Sequence, residues 1–336
     1  MEKHISRLQI LKRQRRLRGW SQAYVAEMVG SDPKTVSRWE QGKTSPGPYF
    51  VRQLVELFGK NAEELGLLVN EEKYTRTVEQ VFSVHEDWGE APQVISFYGR
   101  EQELVELKQC VLMDHCRLIL VLGLGGIGKT TLVTMVAQQI KGEFRYVFWC
   151  SLRHAPTPRD ILEKCILLLA NQQRTDLSVD IDELISLLIS FLREHRTLLI
   201  LDNFESVLQS RYQAGQYLEG YEGYGKLLLR VGEAEHQSCL LVTSREKPGQ
   251  ISYLEGKTLP VRSIQLFGVG QDEGRKLLEE GGLFGTDEAW AELVRFYAGN
   301  PLALKLIVEP IREVFGGNIA AFLKGERQFL VMFIIC

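Results

Sequence analysis

The sequence predicts a multidomain chain: an all-α bundle of short helices, then an α/β unit whose parallel sheet carries helices on both faces, then a small helical subdomain. Three observations predict it. Short amphipathic stretches with start and stop signals fill the first 66 residues. From 97 to 262, apolar runs without polar alternation (LILVL, YVFWC, LLILD, CLLVT) recur between helical patterns, as strands buried on both faces do. From 263 to 325 the pattern is helical around GNPLAL. A length of 336 residues suits two or three units at roughly 150 residues each.

Composition is ordinary for a globular chain, 45% apolar and 25% charged, which excludes a disordered or low-complexity protein. The net charge of −3 conceals an asymmetry. Residues 1–60 hold 12 Lys/Arg against 5 Asp/Glu, whereas 61–96 hold 8 acidic and 2 basic side chains. A basic head, an acidic connector (67–96) and a near-neutral body have separate tasks. The six cysteines form no CxxC pair, so they read as free thiols in a reducing compartment rather than a disulfide framework. The first residues lack the apolar stretch of a secretory signal, and no run is long enough to span a bilayer. The expectation is a cytoplasmic protein with no membrane partner.

Within the head, Leu11, Arg15 and Leu17 lie on a basic amphipathic helix ending at Gly19. Ser21 caps QAYVAEMV and Gly30 ends it; Asp32-Pro33 starts PKTVSRWE. Val36 and Trp39 face inward there, leaving Lys34, Thr35, Ser37 and Arg38 outside; Leu54, Leu57 and Phe58 of a further helix close the bundle. Two short helices joined by a tight turn describe a helix-turn-helix, whose second helix lies in the major groove. RRLRGWSQAYVAEMVGSDPKTVSRWEQGKTSP closely resembles the Cro and lambda-repressor (XRE) type. The resemblance implies that Gln22, Lys34, Thr35, Ser37 and Arg38 face DNA. A helical bundle serving as a protein adaptor is the competing reading; the positive head favours phosphate attraction.

Gly123-Leu-Gly-Gly-Ile-Gly128-Lys129-Thr130 follows an apolar strand and opens a helix, matching GxxxxGK[ST]. The same glycines satisfy the dinucleotide pattern GxGxxG, but the second strand, RYVFWCS, ends without the carboxylate that pattern needs, and Lys129-Thr130 has no purpose in it. In a P-loop, backbone N–H groups of Gly123, Gly125, Gly126, Ile127 and Gly128 wrap phosphates, Lys129 neutralises them, and Thr130, followed by Thr131, ligates Mg²⁺. The second metal carboxylate is expected on a neighbouring strand: Asp202, ending LLILD. Arg245, at the end of CLLVTSR, is placed to read a γ-phosphate. Residues 203–237, with Gly215, Gly220, Gly223 and Gly225, read as a surface insertion in which glycine breaks any helix.

Taken in order, FYGREQEL, GLGGIGKTT, LLILDN, LLVTSR and GNPLAL resemble the NB-ARC group of STAND-class P-loop ATPases over residues 94–325. The resemblance implies ADP or ATP with Mg²⁺ as ligands, Arg100 near the adenine, Pro301 near the base, and self-assembly in the ATP state. Combined with the XRE head, it is similar to bacterial, notably cyanobacterial, regulators that commonly continue into a winged helix and repeats such as WD repeats. It implies a fold of helix-turn-helix bundle, P-loop NTPase and helical subdomain, acting as a nucleotide-dependent switch or transcriptional regulator. The alternatives are an adaptor, or a repressor whose NTPase core is vestigial. The apolar tail FLVMFIIC, within 326–336, departs from the family pattern and reads as a truncated or altered ending.

A second departure concerns catalysis. Where relatives often carry a second Asp after the strand, this chain has Asn203, whose amide orients water but accepts no proton. Slow ATP hydrolysis is expected. Asn203→Asp should raise the single-turnover rate by about a hundredfold, the reach of a general base; equal rates would refute the assignment.

Overall fold

The computed structural model describes residues 10–62, 64–67, 84–94, 97–170, 179–209, 215–249, 251–256 and 258–325. The apolar tail and most of the acidic connector lie outside the described residues.

In the head, α1 (Ile10–Leu17), α2 (Gln22–Val29), α3 (Pro33–Glu40) and α4 (Pro48–Phe58) pack around Leu11, Val25, Val29, Val36, Trp39 and Leu54. The helix starts follow side-chain chemistry. Ser21 accepts from the Tyr24 N–H, and Asp32 accepts from those of Lys34 and Thr35 with Pro33 in the first turn. Gly30 ends α2 in the left-handed region at φ 70°. Arg15 does not join the basic surface. It is buried against Glu40, with Nε to Oε1 at 2.6 Å and Nη2 to Oε2 at 2.9 Å, which ties α1 to α3.

The α/β unit is a six-stranded sheet, ordered β1-β3-β4-β5-β2-β6 with every pairing parallel. Its strands are β1 (His85–Asp87), β2 (Leu118–Leu122), β3 (Tyr146–Ser151), β4 (Thr197–Asp202), β5 (Cys239–Ser244) and β6 (Val261–Gln265). Alternate residues serve two cores. Ile119, Val121, Trp149 and Ile200 face α5 (Glu101–Leu112), α6 (Lys129–Ile140) and the head, while Leu118, Leu120, Phe148 and Leu201 face α7 (Pro158–Leu169), α8 (Ile181–Glu194) and α9 (Gly223–Glu233). A third core joins α10 (Gln271–Glu279), α11 (Asp287–Phe296) and α12 (Pro301–Phe315).

Four differences from the sequence reading have physical causes. The strand bearing Asp202 does not neighbour the P-loop strand, because β5 pairs with both and stands between them. Residues of the connector form β1, which extends the sheet beside β3. The strand β6 runs across residue 262, so the α/β unit reaches at least Gln265. Residues 223–233 form a helix despite three glycines, two of which admit close packing that a side chain would block. A Cβ at Gly223 would lie 2.9 Å from Pro158 Cβ, and one at Gly225 would lie 2.7 Å from the Tyr217 ring. No described helix is long and apolar enough to cross a membrane.

The Arg15–Glu40 pair generates a test. Glu40→Leu strands a buried guanidinium and should cost the head about 3–5 kcal/mol, whereas Arg15→Met with Glu40→Leu should recover most of that loss. Hydrogen exchange across α1–α3 in the full chain reads both.

Candidate functional site

The site forms where β2, β4 and β5 end, because parallel strands deliver all their carboxyl ends to one edge. After Leu122 the chain turns through residues 123–128 and enters α6 at Lys129. Gly126 (φ 76°) and Gly128 (φ 101°) occupy the left-handed region, which L side chains rarely adopt. The Lys129 ammonium folds back to donate to the carbonyls of Gly123 (2.8 Å) and Leu124 (3.1 Å). Burial holds its pKa below the ordinary lysine value, against the pull of Glu205 and Asp202.

Asp202 is buried, and burial pushes its carboxyl above the ordinary value. It is sustained by hydroxyls from two other elements: Thr130 Oγ1 donates to Oδ1 at 2.8 Å, and Thr243 Oγ1 donates to the same oxygen. Thr243 also accepts the Asn203 N–H at 3.1 Å, with Asn203 itself left-handed at φ 62°. Arg245 turns toward Glu205, Nε to Oε1 at 3.0 Å, and its guanidinium lies across Gly125.

The helical subdomain closes the other side. Asn300 caps α12 by accepting from the N–H groups of Leu302 and Ala303, and its amide donates to the Gly125 carbonyl at 2.8 Å. The Leu302 N–H reaches the Gly126 carbonyl at 3.3 Å. Between these elements lies a cavity of about 300 Å³. Gly125, Gly126, Gly128, Lys129, Thr130 and Thr131 line one side; Asn203, Glu205, Arg245, Pro301 and Lys305 line the other.

Of the sequence-predicted residues, Arg100, Gly123, Ile127 and Asp202 lie off this lining, Asp202 being buried directly behind Thr130. Ile127 is buried inside the loop, and Gly123 donates to the Ser244 carbonyl. Arg100 is buried behind the loop, paired with Glu103 at 2.6 Å and donating to the carbonyls of Ile127 and Phe267. Sequence reasoning missed Thr243, Asn300 and Lys305. For Asn300 a signal existed, an Asn before Pro at a helix start; Thr243 is marked only by its strand's position in the sheet.

The second predicted surface is α3. Lys34 and Arg38 are exposed and Ser37 half-buried; Thr35 Oγ1 bonds Asp32, and the Gln22 amide donates to Glu40 at 2.7 Å. Lys34, Thr35 and Arg38 line a cleft of about 540 Å³ whose opposite wall is Gln109, Met113 and Asp114 of the α/β unit. The head is held there by Glu143, which accepts the Tyr49 N–H at the start of α4, with Arg196 Nη1 3.8 Å from the same carboxylate.

These features define a P-loop nucleotide-binding protein with a helix-turn-helix head. Comparison with known proteins makes the type particular: residues 11–65 match the helix-turn-helix family model and residues 100–212 match that of the NB-ARC domain, so the chain carries both. It is 42% identical over 321 residues to an uncharacterized WD repeat-containing protein of Nostoc sp., a match that covers 91% of this chain and 26% of that relative. The chain thus spans about a quarter of that protein. Among solved structures it is similar to a Signal Transduction ATPase with Numerous Domains (STAND) protein with a tetratricopeptide repeat sensor from Pyrococcus horikoshii. That match has a TM-score of 0.50 and 20% identity, covering 66% of this chain and 31% of that one. A looser likeness, with a TM-score of 0.45 and 15% identity, is to a Walker-type ATPase of Pyrococcus abyssi and covers 71% and 75% of the two chains.

The contact between loop and subdomain is testable. A Cβ at Gly126 would lie 2.7 Å from Leu302 Cβ in a left-handed backbone. Gly126→Ala should therefore cost about 2–4 kcal/mol, from backbone strain plus overpacking, and loosen residues 263–325 to proteolysis.

Proposed function

We propose that this chain is a nucleotide-dependent switch that binds ADP or ATP through residues 123–131 and reads DNA through α3. One observation carries the reading. Lys129, Thr130 and Arg245 converge on one cavity at the carboxyl edge of a parallel sheet, with Asp202 bonded to Thr130 behind the wall and the subdomain seated over the loop. The residues fit a phosphate and its metal. The Lys129 amine donates to loop carbonyls that a phosphate would replace, and Thr130 and Asp202 already share a hydrogen bond across the place where Mg²⁺ would be held. Mg²⁺ supplies charge neutralisation of the phosphates when bound. Asn203 orients water, Arg245 answers a γ-phosphate once released from Glu205, and Pro301 stands by the base.

In this arrangement α3 faces the α/β unit, so DNA engagement requires the head to leave Glu143. ADP holds the docked form; ATP with Mg²⁺ favours the released one, in which self-assembly also takes place. A nucleotide shifts only states it distinguishes, and the Asn300 contact makes the subdomain's seat sensitive to the loop.

The test is a salt titration of the full chain on a mixed-sequence duplex, with ADP and then with ATP–Mg²⁺. Affinity should fall steeply with salt, as phosphate contacts require, and differ between nucleotides. Glu143→Ala should raise it severalfold in ADP, and Lys129→Ala should erase the nucleotide difference. No binding by Glu143→Ala at low salt would make the head an adaptor; unchanged nucleotide dependence in Lys129→Ala would remove the P-loop from the switch.

A further inference from the structure

At the end of α5 the chain turns back through Asp114 and His115 into β2, and the turn gathers an unusual set of side chains. The Cys110 and Cys116 thiols and the Asp114 carboxylate place one donor atom each within 4.8 Å of one another. Both thiols are buried, whereas Asp114 is exposed. The Cys116 N–H closes the turn on the Cys110 carbonyl at 2.9 Å, and His115 sits in the left-handed region at φ 52°. A non-glycine residue there is strained, and such strain persists only where the surroundings impose it. Buried cysteines are commonly small hydrophobes, but packing alone does not require a carboxylate against two of them.

We propose that Cys110, Cys116 and Asp114 form a binding site for a thiophilic divalent cation of the zinc class. Around tetrahedral zinc, with Zn–S near 2.3 Å, two sulfurs stand about 3.8 Å apart. The donors therefore close by no more than about 1 Å. Two sulfurs and one carboxylate oxygen supply three ligands, and water completes the fourth position on the exposed side of Asp114. Loading displaces the two thiol protons to solvent. Two thiolates and a carboxylate against a divalent ion leave one negative charge, and the Arg262 guanidinium, 3.8 Å from Asp114 Oδ2, offsets it. The bound ion ties the end of α5 to β2. Met113 and Asp114 wall the cleft that faces Lys34, Thr35 and Arg38, so the ion stiffens the surface on which the head rests. The site is separate from the P-loop cavity and stands without the switch reading.

The experiment titrates the reduced full chain with Co²⁺ alone, then with Zn²⁺ alone. A thiolate-to-cobalt charge-transfer band should saturate at one equivalent and vanish as Zn²⁺ displaces the cobalt. Asp114→Ala, a surface change, should weaken Zn²⁺ binding by about tenfold or more. Cys110→Ser with Cys116→Ser should abolish the band, and Cys165→Ser should leave it unchanged. No thiolate band on the unaltered chain overturns the proposal, as does undiminished affinity in Asp114→Ala. Neither readout depends on the double cysteine variant folding.

Discussion

The structure turns on a carboxylate taken out of water. Asp202 ends β4 inside the protein, where an uncompensated charge is costly, and it is tolerable because Thr130 and Thr243 both give it hydroxyl hydrogens. Those donors come from the first turn of α6 and from β5. One side chain thereby joins the glycine loop's helix, the central strand and the strand beyond it. The Asn203 N–H is drawn to the same Thr243, which sets the left-handed turn that brings Glu205 against Arg245. Burial raises the affinity of Asp202 for a proton, and a divalent ion answers the same need for positive charge. The arrangement serves fold and ligand with the same atoms.

The units around this centre attach through helix N-termini, where unpaired N–H groups seek an acceptor. Asn300 caps its own helix and spends its amide on the Gly125 carbonyl, so the subdomain is fastened to the one loop that a phosphate would reshape. At the head, α4 has no cap from its own sequence, Gly47 standing where Ser or Asp would serve; Glu143 of the α/β unit supplies the acceptor. The cap does not act alone: Phe50 and Leu54 of the head belong to the same buried apolar cluster as Leu107 and Val111 of α5, so the head leaves only by giving up apolar burial as well as this hydrogen bond.

Much of the candidate site was legible from local pattern. The glycine loop, Lys129-Thr130 and Asp202 each follow a strand recognisable by an apolar run, because interior parallel strands show no polar alternation. The capped helices of the head were equally plain, since Ser21 and Asp32 act on N–H groups two or three residues away. What escaped was decided at long range. Thr243 became a site residue because β5 stands between β2 and β4, a matter of strand order that no local pattern encodes. Arg15, placed in sequence only on a basic amphipathic helix, is buried by Glu40, a partner 25 residues on that no local pattern names. The glycines at 223 and 225 signalled a loop yet serve a helix, because Pro158 and the buried Tyr217 ring close on them only once the core has formed.

By itself, then, the sequence determined most strands and helices, β1 and the helix at 223–233 excepted, where the phosphate loop lies and which residue types it offers, since these depend on neighbours along the chain. The tertiary structure alone decided the sheet order, the pairing of Arg245 with Glu205, the seat of Asn300 on the loop and the cleft that sets α3 opposite α5. Each depends on which buried surfaces and unpaired polar groups meet across tens to hundreds of residues, and that matching is settled only when the whole core closes.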